Sequence, residues 1–412
     1  MRILHLNITE KFGGAAQAAN RLHHSLLDLG VDSTLLVVNK ESNDESVIPV
    51  ADIYSKTDKL QLLFRRGINI FKTVFHLNKE KKYNPPSFLL GVLGRIDFDI
   101  IHLHWVTGSF VNFKEIAGIK KPIVWTMHDC AAFTGICHVI GSCSNFKTGC
   151  GRCPLLNSNN INDISSREFY RKKEIIRSLT MTLVSPSRWI AKNASMSPML
   201  NGKTIKVIPH GLDTYLFKPM DKLSARRVFN FSSDTKIIVS GSVTFNDKNK
   251  GIHLFAEAIN TIADLNTEIE KYEVVLFGEV TDDKTFSRVK TTKLGYINDN
   301  RLLKVIYSLS DVVVVPSLQE SFGQTALEAL SCGIPVVAFA ATGLLDIVDH
   351  KINGYLAKPY DSTDLASGIV WCLDNNIDNK LSANARQKVT DNFDIKLIAQ
   401  RYRELYDSLI NK

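Results

Sequence analysis

The chain has 412 residues, 44% of them hydrophobic and 22% charged, and a formal net charge of +8. That length exceeds one ordinary core and suits two domains of roughly 200 residues each, while the balanced composition excludes a largely disordered or fibrous chain. No window reaches the ~18 unbroken apolar residues of a membrane span, and the opening MRILHLNITEKFGG reads as a strand running into a glycine pair, not as a secretory signal; the expected compartment is the cytosol.

In chain order, the apolar runs RILHLN, STLLVV, IIHLHW, IVWTMH and TLVSPS are candidate strands of a first half. KIIVSGS, YEVVLFGE, TTKLGY, DVVVVPS and PVVAFA repeat the style in a second half. Amphipathic stretches alternate with them, the pattern of a parallel sheet covered on both faces, so the expected class is α/β with two doubly wound units. KVIPHGLDTYLFKP, with Pro, Gly and Pro and no helical period, reads as the connection. The expected division is 1–200 and 201–392, with a terminal helix at 393–412 that carries Ile395, Ile398, Tyr402, Leu405 and Leu409 on one face and packs back on the first domain. Ligands of such sheets lie outside the carboxyl ends of the strands, so functional residues are sought in the loops that follow them.

Charge is uneven. From Lys56 to Lys82 there are eight basic residues against two acidic ones, and Leu60, Phe64, Ile68, Phe71 and Phe75 recur at helical spacing. Two readings fit: a helix packed on its own domain with a solvated basic face, or a helix lying on an anionic membrane surface. No nucleic-acid-binding motif accompanies the charge, so no nucleic-acid partner is expected.

The most informative segment is DVVVVPSLQESFGQTALEALSCGIPVVAF. An apolar strand ends at Pro316 and Ser317, and a helix is expected to begin near Phe322. Glu320 and Glu328 are eight apart, one at the helix mouth and one in its second turn. The amides of Ser321, Phe322 and Gly323 would then be the unsatisfied donors of a helix N-terminus, a place for an anionic phosphate, with Gly323 allowing close approach. Two carboxylates beside an anion site are costly unless they bind neutral hydroxyls, which a sugar ring and a ribose supply.

This string resembles the retaining glycosyltransferases of family four, which have the GT-B fold: two facing Rossmann-like domains with the active site in the cleft between them. The family's E-x7-E, followed by Gly and Pro-Val-Val, appears as Glu320, Glu328, Gly333, Pro335, Val336 and Val337. Gly13-Gly14, VSPSRW, VIPHGLD, Lys250-Gly251 and GLLDIVDHKINGYL match in order. The resemblance implies that Glu320 contacts the donor sugar and Glu328 the nucleotide ribose. It implies that Lys250 pairs with the diphosphate and His128, after IVWTM, with the sugar. Gly13 and Gly14 would let backbone amides reach the donor phosphates. Many members carry Arg directly after the glycine of the preceding strand; here Ser242 stands in that place, which leaves the second phosphate cation open, with Lys248 as a candidate. Asp97 and Asp99 directly precede a strand and are expected to start it, not to hold manganese. No catalytic metal is expected, because Lys250 and helix amides stabilise the leaving group.

Cys137, Cys143, Cys150 and Cys153 lie in a Gly-rich stretch with spacing C-x5-C-x6-C-x2-C. Cys150-x2-Cys153 has the knuckle spacing of a zinc ligand pair, and a structural zinc, free thiols and disulfides are the alternatives. A similar insert occurs in a subset of the family devoted to surface-polysaccharide assembly, which this chain resembles. The implied function is sugar transfer from a UDP- or GDP-type nucleotide sugar to a glycan or lipid-linked acceptor, with retention, in bacterial surface polysaccharide biosynthesis at the cytoplasmic face of the membrane. A non-catalytic partner subunit would be expected to have lost the paired acids, the lysine or the histidine, and all are present. A phosphorylase of this fold would need a pyridoxal lysine in a much longer chain; a nucleotide-sugar epimerase is the remaining enzyme alternative.

Overall fold

In a computed structural model, residues 1–53, 89–106, 111, 113–265, 268–279 and 286–411 are described. The basic stretch from Lys56 to Lys82 lies outside them. The chain forms two compact units: Met1–Pro186 with Ile190–Ile208 and Ala399–Lys412, and Ser187–Trp189 with Pro209–Ile398.

The first unit is built on seven parallel strands, β1 (Arg2–Thr9), β2 (Asp32–Asn39), β3 (Val47–Pro49), β4 (Ile100–Leu103), β5 (Ile123–Thr126), β6 (Met181–Ser185) and β7 (Thr204–Val207), in the order β3-β2-β1-β4-β5-β6-β7. The order runs outward in both directions from β1 and β4, so loops after those strands open where the winding reverses. Central strands are buried on both faces, as Ile100, Ile101 and Leu103 in β4 and Ile123, Val124 and Trp125 in β5 show, and they read as unbroken apolar runs for that reason. Polar exceptions are placed with a period of two: His5 is the register partner of His102, and His104 follows on the same face. The helix Ile395–Ile410 covers these with Tyr402 and Tyr406, whose hydroxyls reach Thr126 at 3.0 Å and His102 at 2.7 Å. Asp99 accepts from the Arg2 amide at 2.8 Å and from its guanidinium at 3.0 Å, and Asp97 pairs with the same guanidinium; the two acids tie β1 to the start of β4.

The second unit holds six parallel strands, β8 (Lys236–Thr244), β9 (Tyr272–Glu279), β10 (Lys290–Lys293), β11 (Val312–Val315), β12 (Val336–Phe339) and β13 (Gly354–Ala357), in the order β10-β9-β8-β11-β12-β13. Alternate residues of each strand feed two separate cores. Ile237, Val239, Val313, Val315, Val336 and Ala338 pack on one face with Ala326, Leu327 and Leu330 of the helix Gln324–Ser331. Ile238, Val312, Val314, Val337 and Phe339 pack on the other with Phe255, Ile259 and Ile262 of the helix Ile252–Leu265.

Candidate active site

In the second unit the sequence-predicted residues gather at the carboxyl ends of β8 and β11. After β8 a tight turn, Lys248–Lys250, is opened by Asp247, whose carboxylate accepts from the Asn249 amide at 2.9 Å. Gly251 closes it at φ 66°, where an added Cβ would collide with the Pro316 carbonyl oxygen. The turn is stitched to the loop after β11 by Leu318 N–H to Asn249 O and by Asn249 Nδ2 to Gln319 O, both 2.8 Å. Gly251→Ala is therefore expected to destabilise the protein by at least ~1–3 kcal/mol, the cost of a side chain forced into left-handed backbone, and thermal melting should show it as a lower midpoint.

This stitching aims Lys250 at Glu320. The Lys250 ammonium donates to Glu320 Oε1 at 2.7 Å, and the neighbouring carboxylate raises the lysine pKa against the opposing effect of burial. Lys250 is thus a fixed cation. The backbone of Glu320 is also held: its N–H donates to Thr342 Oγ1 at 3.0 Å and its carbonyl accepts from Gly343 N–H at 2.9 Å. Thr342 itself sits in left-handed backbone at φ 58°. These two residues and Asn249 are supports that motif reading passed over, although Gly343 opens the GLLDIVDHKINGYL string. Lys248 is exposed at the start of its turn, and Ser242 is occupied with the Thr244 carbonyl at 3.0 Å.

The helix differs from expectation. It begins at Gln324, with Gly323 as its N-cap at φ 116°, because the left-handed residue interrupts helical geometry that would otherwise start at Phe322. The amides of its first turn therefore belong to Gln324 and the residues after it, not to Ser321 and Phe322. Ser321 instead accepts from Ser187 Oγ through its carbonyl at 2.6 Å. Phe322 is a core residue, 2% exposed, packed edge-on against His210 and Phe393. Glu328, in the helix's second turn, is 7% exposed and accepts from the Tyr307 hydroxyl at 3.0 Å.

In the first unit Gly13 takes φ 88° and caps the helix Gly14–Asp28. Nothing crowds the position of its missing Cβ, so backbone conformation and not space requires glycine there. His128 follows β5, half-buried, with Nε2 2.9 Å from His104 Nδ1. The next residue, Asp129, caps the turn Cys130–Ala132 and also accepts from Trp105 Nε1 at 2.9 Å and His138 Nδ1 at 2.7 Å.

The loop that follows carries the four predicted cysteines. None of the seven cysteines is in a disulfide. Burial pushes the Cys137 thiol up to about 12, with Cys153, Cys150 and Cys143 adding to the shift. Gly149, Cys150, Gly151 and Arg152 all take positive φ, winding the chain tightly before Cys153. The winding is pinned by the helix Ile164–Ser178: Gly151 N–H donates to Ser165 Oγ at 3.0 Å and Cys153 N–H to Asp163 Oδ2 at 2.9 Å. Gly135 N–H points at Cys150 Sγ, 3.3 Å away. Lys172 of the same helix is buried, donates to the Ala131 carbonyl at 2.8 Å, and is pulled down to about 8 by desolvation against the opposing pull of nearby acids and Cys150.

Two doubly wound parallel sheets, each with charged and polar residues at its carboxyl edge, define a GT-B glycosyltransferase fold. Comparison agrees: a protein from Anabaena solved with UDP and glucose superposes with a TM-score of 0.66 over 99% of this chain and 100% of its own, at 18% identity. Residues 221–388, within the second unit, match the family Glycosyl transferases group 1. Over most of its length the chain is similar to an uncharacterised glycosyltransferase of Methanocaldococcus jannaschii, 28% identical over 77% of each chain. It is also similar to a putative colanic acid biosynthesis glycosyl transferase of Escherichia coli, 24% identical over 82% of this chain and 83% of that one.

Proposed function

We propose that the chain is a retaining glycosyltransferase that moves a sugar from a UDP- or GDP-type donor to a glycan or lipid-linked acceptor in bacterial surface polysaccharide assembly, working from the cytoplasm at an anionic membrane surface. The observation that carries this reading is the Lys250–Glu320 pair held at 2.7 Å by two stitched loops, with Glu328 buried in the adjoining helix. A fixed cation beside a helix N-terminus suits a diphosphate leaving group, whose charge grows as the glycosidic bond to the donor breaks. Carboxylates suit the hydroxyls of sugar and ribose. The colanic acid relative and the Anabaena structure with UDP point toward polysaccharide and UDP chemistry. A thermal-shift panel of UDP, GDP and ADP sugars tests the donor, since a ligand that binds only the native state raises the midpoint. Nuclear magnetic resonance of the anomeric proton in the product tests retention. No shift with any nucleotide sugar, and no nucleotide release with membrane extract, would sink the reading.

The cysteine loop is proposed to hold one structural zinc through Cys137, Cys143, Cys150 and Cys153. Four thiols of one loop, three of them near enough to act on Cys137, supply the donor set, the Gly135 amide offers an N–H to sulfur, and the buried Lys172 offsets the negative charge of zinc-bound thiolates. The metal would brace the loop and take no part in transfer. Elemental analysis of tag-free protein is expected to find about one zinc per chain, lost in Cys150→Ser/Cys153→Ser together with a fall in melting temperature. Metal well below one equivalent would refute the assignment.

A further inference from the structure

Glu328 is held by a residue from an element other than its own. The Tyr307 hydroxyl, on the helix Asn300–Leu309, donates to Glu328 Oε2 at 3.0 Å. Tyr307 is 0% exposed and Glu328 7%, so a carboxylate almost withdrawn from water meets a buried phenol at one of its oxygens. A buried carboxylate is costly unless it is hydrogen-bonded, and a phenol hydroxyl can donate that bond.

The tyrosine ring is itself fixed by packing. It meets Phe277 of β9 edge to face, with 5.8 Å between ring centres and 81° between planes, and Phe217 at 6.4 Å. Phe277 in turn lies across Gly241 of β8, where an added Cβ would collide with its ring. The helix that carries Glu328 is anchored separately: the Arg386 guanidinium donates to the Ser331 carbonyl at 2.9 Å and to the Phe217 carbonyl at 2.7 Å. Helical side chains lean toward the N-terminus of their helix, which sets Glu328 over the turn that begins at Gln324 after its cap Gly323. Helix and donor are therefore fixed by different neighbours, and the Tyr307 bond joins them at the carboxylate.

That bond matters because a glutamate side chain turns about three bonds. Unrestrained, it gives up rotamer freedom when it binds a hydroxyl; held beforehand, it has less to lose. Phenylalanine at 307 would meet the same rings, so the bond to Glu328 is a contribution of the hydroxyl and not of the packing. We propose that Tyr307 is a positioning residue for the nucleotide: its hydroxyl fixes the Glu328 carboxylate in the orientation that accepts from the ribose hydroxyls, and so sets how strongly the site distinguishes a ribonucleotide from its dideoxy counterpart. The inference rests on the reading that Glu328 meets the ribose; the bond from which it starts does not.

Calorimetry of the full-length protein with UDP and GDP, each beside its 2′,3′-dideoxy counterpart, tests this. The wild type is expected to bind the better ribonucleotide about ten- to a hundredfold more tightly than the dideoxy form, the scale of a hydrogen bond to a charged group. Tyr307→Phe should bind that ribonucleotide about three- to tenfold more weakly, and the dideoxy form within about twofold of wild type, so that discrimination shrinks while the rest of the site is unmoved. General damage would weaken both ligands alike, and melting curves check that the variant is folded. In Glu328→Ala, which has no carboxylate to position, adding Tyr307→Phe should change ribonucleotide affinity less than about twofold. A second measurement keeps Tyr307 in place: in protein labelled with 13Cζ-tyrosine, the better ribonucleotide should shift a phenol signal that its dideoxy form leaves unmoved and that Glu328→Gln also shifts. Undiminished discrimination in folded Tyr307→Phe, a full effect of Tyr307→Phe in Glu328→Ala, or the absence of such a phenol signal would overturn the proposal. Equal binding of ribonucleotide and dideoxynucleotide by the wild type would overturn the ribose contact of Glu328, and the proposal with it. Binding of neither UDP nor GDP would instead overturn the nucleotide-sugar reading on which both depend.

Discussion

Replacing Glu320 with glutamine is expected to lower kcat/KM for sugar transfer ten- to a hundredfold while the binding of nucleoside diphosphate is kept or tightened. Glutamine preserves size and the stitched backbone, since the bonds to Thr342 and Gly343 are made by main-chain atoms. What disappears is the charge, and with it a charge-assisted acceptor for a sugar hydroxyl, worth roughly 1.5–3 kcal/mol. The second part of the prediction comes from the ion pair. Lys250 is neutralised by Glu320 at 2.7 Å, so removing that carboxylate frees the ammonium for the phosphates. Steady-state kinetics with calorimetry on the nucleoside diphosphate reads both effects. Near-normal turnover would remove Glu320 from the chemistry, and a parallel loss of diphosphate affinity would show that the substitution had damaged the site at large.

Lys250→Ala should do the opposite to the nucleotide: diphosphate affinity is expected to fall about ten- to a hundredfold and transfer to slow by at least as much, because the departing phosphate develops charge without its cation. Glu320 is then left beside the phosphates without a counter-ion, which adds repulsion to the lost attraction. The two changes should therefore be strongly non-additive. In Lys250→Ala/Glu320→Gln the diphosphate should bind better than in Lys250→Ala alone, since the unpaired carboxylate has gone. Calorimetry on all four proteins closes the cycle; unchanged affinity in Lys250→Ala would exclude this lysine from the phosphate site.

Much of the architecture was open to inspection of the sequence, for a physical reason. A parallel strand buried on both faces must be a short unbroken apolar run, and VVVV of β11 and VVAF of β12 are such runs. The strands that escaped notice, β3, β7 and β13, all lie at sheet edges. There one flank is free, three or four residues suffice, and a run such as TIKV, largely exposed, carries no apolar signature. Among site residues, Glu320, Glu328 and Lys250 stood out because their spacing follows a strand–loop–helix plan that is local in the chain. Local spacing did not decide where the helix starts: the left-handed backbone at Gly323 did, moving the first turn past Ser321 and Phe322. Nor did it decide which charges meet. Lys250 and Glu320 are 70 residues apart, and His5 and His104 are 99 apart. The alternation HLHW hinted that His102 and His104 share a face, but only sheet register sets His5 beside His102. The row of His5, His104 and His128 draws on β1 and on the loops after β4 and β5, and the ångström-scale separations within it are a property of the packed sheet alone.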